Sequence, residues 1–504
     1  MGMDSSPWTL HRPVRELIRR SPITCSDETP IEEAARVMQA FGVGSVVVVG
    51  PDGSPVGIVT DRDLRGRVLA ARRSPQEPVR TIMSRPLRTV APDDPAVDAL
   101  VTMLQYGIHH VVVVRPLPGG GGQLVGVVSS TDFLLLQGGH PLLLLREIQQ
   151  QERLEHLAGL AAQLDATVRQ LADSGLTCGE LARITTELYD ALVRRVLELT
   201  QQELAEEVGM EPPVPFCWMA LGSEGRREQI LRTDQDNALV YADPQPQLAG
   251  QAQEYFAAFA QRALVHLREC GFPSCPLGVM AAKSRWRRPL GAWKGQVQTW
   301  VRDSMPEELW EAAAFFDLRP VWGETGLGLK LRQHALQLAV ASAQFLAMMA
   351  ALAAHSRPPL GLGGRILTPA LGPGRGLLDV KRQGWLPLVA AVRVQALRAG
   401  VDATPTLERI RALSALPGAL EPGEADELAA AFEILTRLRL RRHLKGPGVP
   451  EEALPDGAAS ERIAVASLGR AERAALREAL GAVARLQWRL ARRLVSDPAA
   501  GAVF

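Results

Sequence analysis

The chain has 504 residues, too many for one hydrophobic core, and at about 150 residues per domain it should divide into three or four units. Lys plus Arg (56) and Asp plus Glu (55) nearly cancel, which argues against a global field drawing the protein to nucleic acid or an anionic membrane. The five cysteines, Cys25, Cys178, Cys217, Cys270 and Cys275, are odd in number and lack paired ligand spacing, so reduced thiols in a cytoplasmic compartment are expected rather than disulfides or a zinc cluster.

In chain order, Arg12, Arg15, Arg19 and Arg20 interrupt any signal-type apolar run, and secretion is not expected. A repeat follows: GIVTDRD at 57–63 is echoed by GVVSSTD at 126–132. Each copy is preceded by an amphipathic helical stretch and a β-branched strand, IEEAARVMQAFGVGSVVVVG and then AVDALVTMLQYGIHHVVVV. A turn separates the strands in both, at 51–53 and at 118–122. Residues 142–208 are rich in Glu, Gln, Arg, Leu and Ala, and Asp173-Ser174-Gly175 splits them into two expected helices. Pro212 to Pro215 then introduce a strand at 216–221, a Gly/Ser turn, and a second strand at 238–242, with a third expected at 277–282. Beyond about residue 323 nearly everything is helix-forming, with Gly/Pro punctuation at 358–376 and 446–457. The apolar run 335–354 carries Gln337, Ser342 and Gln344 and reads as one buried helix rather than a membrane span.

The expected fold class is α/β plus all-α. A tandem pair occupies 10–138 (10–75 and 76–138), a helical connector 142–210, a small mixed-sheet domain 211–325 and a helical C-terminal domain 326–500.

The repeats resemble CBS domains, which hold adenosine nucleotides in the clefts of tandem pairs and commonly dimerise. That resemblance implies that Thr60, Asp63, Ser129 and Asp132 contact ribose and phosphate, that an adenine nucleotide is a regulatory ligand, and that the chain is a homodimer. Gly57 and Gly126 would permit close backbone approach. The same hydroxyls and carboxylates also suit N-caps and first-turn acids of the following helices, and the two roles can coexist. No role follows for His109 or His110, which precede the second strand of their copy.

In LGSEGRREQILRTDQDNALVY, 221–241, a strand ends in Gly222-Ser223, and Asp234 and Asp236 open the next. Residues two apart on a strand share a face, so the two acids can hold a divalent cation through oxygen ligands, magnesium or manganese in its place. Backbone amides and a hydroxyl at the turn can approach a triphosphate, with Arg226, Arg227 or Arg232 neutralising it. The block resembles the polymerase-beta-type nucleotidyltransferase signature, and in its longer form the protein-PII uridylyltransferases. The whole chain is similar to a bacterial family joining a CBS pair, a nucleotidyltransferase domain and a helical C-terminal domain. The resemblance implies Asp234 and Asp236 as metal ligands and catalytic acids, and Gly222, Ser223, Gly225 and Arg226 as the phosphate loop, with Arg227 beside it.

The segment 277–282 carries no acid where many such enzymes place a third carboxylate, and Asp317 is the substitute considered, either catalytic or simply paired with Arg319 or a neighbour. Between Lys283 and Lys294, five basic residues alternate with Trp286 and Trp293, a composition for gripping a triphosphate, stacking a base or touching RNA, or for a solvated basic face over structural tryptophans. Asp379 and Lys381, in LLDVKRQG, also match the pattern of that family; the sequence gives no reason to call them catalytic, and an ion pair between them is one reading.

The resulting reading is a regulated transferase moving a nucleotidyl group from NTP to a hydroxyl of a protein or small molecule. Its alternatives are a catalytically inactive nucleotide-sensing interaction module and an RNA nucleotidyltransferase. No membrane or nucleic-acid partner is expected.

Overall fold

The computed structural model describes residues 10–118, 121–133, 141–303, 308–371, 374–444 and 461–495. They form two compact units, one comprising residues up to 150 with 170–176, the other 151–169 with 177 onward.

The first unit realises the repeat. In the first copy β1 (Thr24–Ser26), α1 (Ile31–Phe41), β2 (Ser45–Val49) and β3 (Pro55–Thr60) form a three-stranded sheet, β1 parallel and β3 antiparallel to β2. The second copy, β4 (Thr89–Val90), α2 (Ala96–Tyr106), β5 (His110–Pro116) and β6 (Gly122–Ser129), has the same topology. Proline precedes each helix, and a left-handed glycine ends it, Gly42 at φ 58° and Gly107 at φ 59°, a conformation any side chain would strain. The apolar faces of α1 and β2, Ala34 and Met38 with Val46 and Val48, are buried against Ile82. Of the second expected turn, residues 119 and 120 lie outside the described residues. Helix α3 (Pro141–Gln150) follows.

Residues 142–208 contain three helices rather than two, because the chain breaks at 151–153 before α4 (Leu154–Ala172) and α5 (Cys178–Glu203). The 173–175 turn is present, and Thr177 caps α5 reciprocally with Glu180.

In the second unit, β7 (Phe216–Ala220), β8 (Asn237–Tyr241), β9 (Arg287–Pro289) and β10 (Arg319–Gly323) form a mixed sheet in the order β10-β7-β8-β9, parallel only between β8 and β9. The strand expected at 277–282 is a loop, with Gly278 at φ 71°. Asn237 binds that loop, its N–H donating to the Val279 carbonyl (3.1 Å) and its Oδ1 accepting from the Ala281 N–H (2.9 Å). Helix α6 (Ala249–Glu269) packs Tyr255, Phe256 and Phe259 around Phe216. Helix α7 (Leu290–Asp303) and α8 (Leu309–Phe315) close an aromatic core of Trp286, Trp293, Trp300 and Phe315. Trp286 and Trp293 are fully buried there, so they offer no surface for stacking a base or an RNA. The arginines of this stretch are engaged as well: Arg285 pairs with Glu311 at 2.6 Å, Arg287 donates to the carbonyls of Ala281 and Ala282, and Arg288 donates to the Arg285 carbonyl at 2.8 Å.

The apolar run 335–354 is two helices, α9 (Thr325–Ala341) and α10 (Ala343–His355), bent by 94° at Ser342, whose hydroxyl accepts from the Phe345 N–H at 3.2 Å. A residue that can cap a helix starts a new one there. No single helix among the described residues is long and apolar enough to cross a membrane. Helices α11 (Leu386–Arg398), α12 (Thr406–Ser414), α13 (Glu424–Leu444) and α14 (Arg470–Val495) complete the unit, with a short antiparallel pair β11 (Leu377–Asp379) and β12 (Arg462–Ala464). The Gly/Pro punctuation at 446–457 lies outside the described residues.

Candidate active site

The mixed sheet brings the Gly/Ser turn and the two acids together. After β7 the chain turns at Gly222, φ 54°, and the Leu221 N–H donates to the Asp236 carbonyl at 2.8 Å. A Cβ on Gly222 would stand 2.5 Å from Asp236 Oδ2, so only glycine lets the turn lie against that carboxylate. Gly222→Ala should lose divalent-metal binding together with about 1–2 kcal/mol of stability, checked by calorimetric metal titration and a thermal melt.

Asp234 and Asp236 sit immediately before β8 on either side of Gln235. Gln235 is buried and fixed, its N–H donating to the Pro273 carbonyl (2.8 Å) and its Nε2 to the Phe272 carbonyl (2.9 Å). With Gln235 pinned inward, the period-two alternation turns both acids to the other side. Oxygens of Asp234 and Asp236 and Sγ of Cys275 lie within 4.8 Å of one another. Burial, with the neighbouring Asp234 charge adding to it, pushes the Asp236 carboxyl up to about 6 against a favourable hydrogen bond from Cys275. Burial and Asp236 in turn push the Cys275 thiol up to about 11, so it is a neutral hydrogen-bond donor rather than a thiolate. The two hard oxygen ligands fit magnesium or manganese.

The structure corrects several expected roles. Asp317 is fully buried and accepts from Arg226 (2.6 Å), Arg393 (2.9 and 2.5 Å) and Arg409 (2.8 Å). Burial alone would raise its pKa, but the three guanidiniums, Arg393 foremost, outweigh it and hold the carboxyl far below the usual range. It is a structural counter-ion with no access to substrate, and its partners are these arginines rather than Arg319, which pairs with Asp190 at 2.6 and 2.9 Å. Arg226, 3% exposed, is held by Glu228 (2.7 Å) and Asp317, so it anchors the turn from below instead of meeting a phosphate. Gly225 is also a packing residue: a Cβ there would be 2.1 Å from the Asp317 carbonyl oxygen. Arg227 donates to Glu187 (2.6 Å), and Arg232 is taken by Asp165 and the Cys270 carbonyl. Ser223 Oγ lies 3.4 Å from Thr233 Oγ1. Asp379 accepts from the Arg382 N–H (2.9 Å), and Lys381 lies 3.9 Å from Glu461, so these two do not pair with each other.

Sequence reasoning missed Cys275 and Glu224. Glu224 follows Ser223, and burial with the charges of Asp236 and Asp190 pushes its carboxyl well above the normal range. Its adjacency to the turn was visible, but its neighbours were not.

In the repeat unit both acid–hydroxyl pairs are helix caps. Thr60 Oγ1 and its N–H donate to Asp63 Oδ2 (2.7 and 2.9 Å), and Ser129 does the same to Asp132 (2.7 and 2.7 Å). Asp63 also accepts from Ser84 (3.1 Å), and Asp132 pairs with Arg19 at 3.1 Å. The space beside Gly57 and Gly126 is filled by Met83 and Ile18, so side chains make the close approach expected of a ligand.

The CBS-domain family matches residues 14–70 and 79–138, "Putative nucleotidyltransferase DUF294" matches 162–307, and "Putative nucleotidyltransferase substrate binding domain" matches 343–494. Among curated proteins the chain is similar to an uncharacterized protein of Methanopyrus kandleri, 36% identical over 125 residues, covering 25% of this chain and 62% of that protein. It is also similar to the CBS domain-containing protein YhcV of Bacillus subtilis, 32% identical over 124 residues, covering 25% of this chain and 84% of that one. The chain spans 31% and 44% of the lengths of two further uncharacterized relatives from Methanocaldococcus jannaschii. A solved structure, a CBS domain protein of Pyrobaculum aerophilum complexed with AMP, is 32% identical, with a TM-score of 0.22 and coverage of 25% of this chain and 97% of that one. The chain thus belongs to the CBS-domain proteins and joins its CBS pair to the two nucleotidyltransferase-type domains of the DUF294 arrangement.

Proposed function

We propose that the chain is a divalent-metal-dependent nucleotidyltransferase that moves a nucleotidyl group from NTP to a hydroxyl of a protein or small molecule, under control of an adenine nucleotide at the CBS pair. The observation that carries this reading is the meeting of Gly222-Ser223 with the Asp234/Asp236 pair at the end of β7 and the start of β8. Asp234 and Asp236 hold the metal, which when bound supplies positive charge to the α-phosphate and the departing pyrophosphate. The turn presents backbone N–H groups and the Ser223 hydroxyl to the phosphates, and Cys275 orients Asp236 through its thiol. Arg226 and Asp317 keep the turn at its position without touching the substrate. The likeness to protein-PII uridylyltransferases makes a tyrosine hydroxyl of a signalling protein the acceptor to try first. In the CBS pair, Thr60/Asp63 and Ser129/Asp132 retain the hydroxyl and carboxylate chemistry that ribose and phosphate require, on helix starts that favour an anion. The reading includes a cytoplasmic homodimer joined through the CBS pair.

A second reading, a nucleotide-sensing module without turnover, is favoured by one observation: among the described residues no third carboxylate joins the Asp234/Asp236 group. The two are separated by incubating each labelled NTP with magnesium and a cell extract, with and without AMP. Transfer of label that disappears in the Asp234→Asn/Asp236→Asn double variant establishes the transferase. Metal-dependent NTP binding without transfer establishes the sensor.

A further inference from the structure

The arginines beside the Gly/Ser turn leave a triphosphate without an obvious counter-charge. Arg226 is buried with Glu228 and Asp317, Arg227 is held by Glu187, and Arg232 by Asp165. A nucleoside triphosphate with one divalent ion still carries about two negative charges, and the acidic pair adds to them. Something else must face them.

The short helix following β11, Lys381–Trp385, supplies a candidate from the C-terminal domain. The Trp385 ring packs under the Arg226 guanidinium at 5.2 Å, which seats this helix directly against the turn. Lys381 lies about one helical turn before Trp385, on the same side of that helix. The two cations prominent in the electrostatic environment of Asp236 are Arg226 and Lys381. Of those, Arg226 is fully committed, whereas Lys381 has only a loose contact with Glu461 (3.9 Å) and a side chain 39% exposed. Glu461 does not depend on that lysine, because Arg439 grips it with two bonds of 3.0 and 2.9 Å and His443 lies at 3.5 Å. The neighbouring Arg382 folds back toward Asp379, at 4.0 Å.

We infer that Lys381 is the phosphate-contacting residue of the site, reaching from the C-terminal domain to the β- and γ-phosphates of an NTP held at the Asp234/Asp236 pair. This rests on the nucleotidyltransferase reading and adds to it that the site is assembled from both nucleotidyltransferase-type domains. A compact ammonium on a flexible stem suits this position, since it can follow a phosphate as pyrophosphate departs.

The test uses the full chain, magnesium, and calorimetric titration with UTP, UMP and inorganic tripolyphosphate. Lys381→Ala should weaken UTP and tripolyphosphate roughly ten- to hundredfold, the range for a lost charge-assisted bond, and leave UMP within twofold. Lys381→Arg should recover most of the loss, and Glu461→Gln should leave UTP affinity intact or tighten it by releasing the lysine. An unchanged UTP affinity in Lys381→Ala overturns the assignment, as does an equal loss in Glu461→Gln, which would make Lys381 a support for the Glu461 cluster. In either case the nucleotidyltransferase reading stands, provided that the Asp234→Asn/Asp236→Asn variant loses magnesium-dependent binding. Absence of magnesium-dependent binding of UTP and tripolyphosphate to the wild type overturns both.

Discussion

Asp317→Asn should leave the second unit largely unfolded at physiological temperature. The carboxylate is the common partner of Arg226, Arg393 and Arg409, all of them at most 9% exposed in their side chains. A buried ion network of this kind contributes little net stability against an apolar core, yet removing one member strands the others, at about 3–5 kcal/mol for a single pair. Here one amide would have to answer for three guanidiniums. Against a total stability of about 5–15 kcal/mol, such a loss removes most of the margin and lowers the melting temperature by roughly 10 °C or more. Circular dichroism with a thermal melt is the check, and a melt within 2 °C of the wild type would show that the network is dispensable. The pH profile has a defined sign. Because the folded-state pKa of Asp317 is depressed, its contribution is fully present above the ordinary carboxylate range near 4 and is lost only as pH falls through the folded value in strong acid.

Asp236→Asn should do the opposite to stability while abolishing metal-dependent chemistry. The folded-state pKa, about 6, lies above the ordinary value, so the folded protein binds this proton more tightly than the unfolded chain. Without metal, the associated stability is fully present below about pH 4 and is lost as pH rises to about 6. By pH 8 the ionised carboxylate costs about 2–3 kcal/mol, at about 1.4 kcal/mol per pKa unit. The asparagine variant avoids that cost. Its metal-free melting temperature should exceed that of the wild type at pH 8, and the gap should shrink toward pH 5. Magnesium should then raise the wild-type melt by binding the folded state, and leave the variant unmoved. A variant less stable than the wild type at pH 8 without metal would mean that Asp236 is held for packing rather than for a cation.

The contrast between these two acids explains what could be read from the sequence. Asp236 owes its environment mainly to nearby chain, with Asp234 two residues away and the Gly222 turn fourteen residues before it, and alternation about Gln235 carries the geometry. The repeat was equally local, since each Thr/Ser–Asp pair caps a helix three residues long or begins one. Asp317 owes everything to residues 91, 76 and 92 positions away, and no periodicity in its own segment announces three arginines arriving from a turn and two later helices. The same distance hid the commitment of Arg226, which by composition looked free to meet a phosphate. The strand expected at 277–282 failed because Gly278 turns left-handed, and the hydrogen bonds that order this stretch come from Asn237 rather than from a ladder. The single helix expected at 335–354 failed at Ser342, where a hydroxyl that looked like an interruption is a cap.

The buried carboxylate also bears on how such a protein can be inherited. Arg226 belongs to the stretch that carries the Gly222-Ser223 turn, while Arg393 and Arg409 belong to the region matched as "Putative nucleotidyltransferase substrate binding domain". A genetic exchange that replaced one of these regions with a stranger's would deliver a sheet with an unanswered charge at its centre. The two regions are therefore expected to pass between genomes as one inseparable cassette.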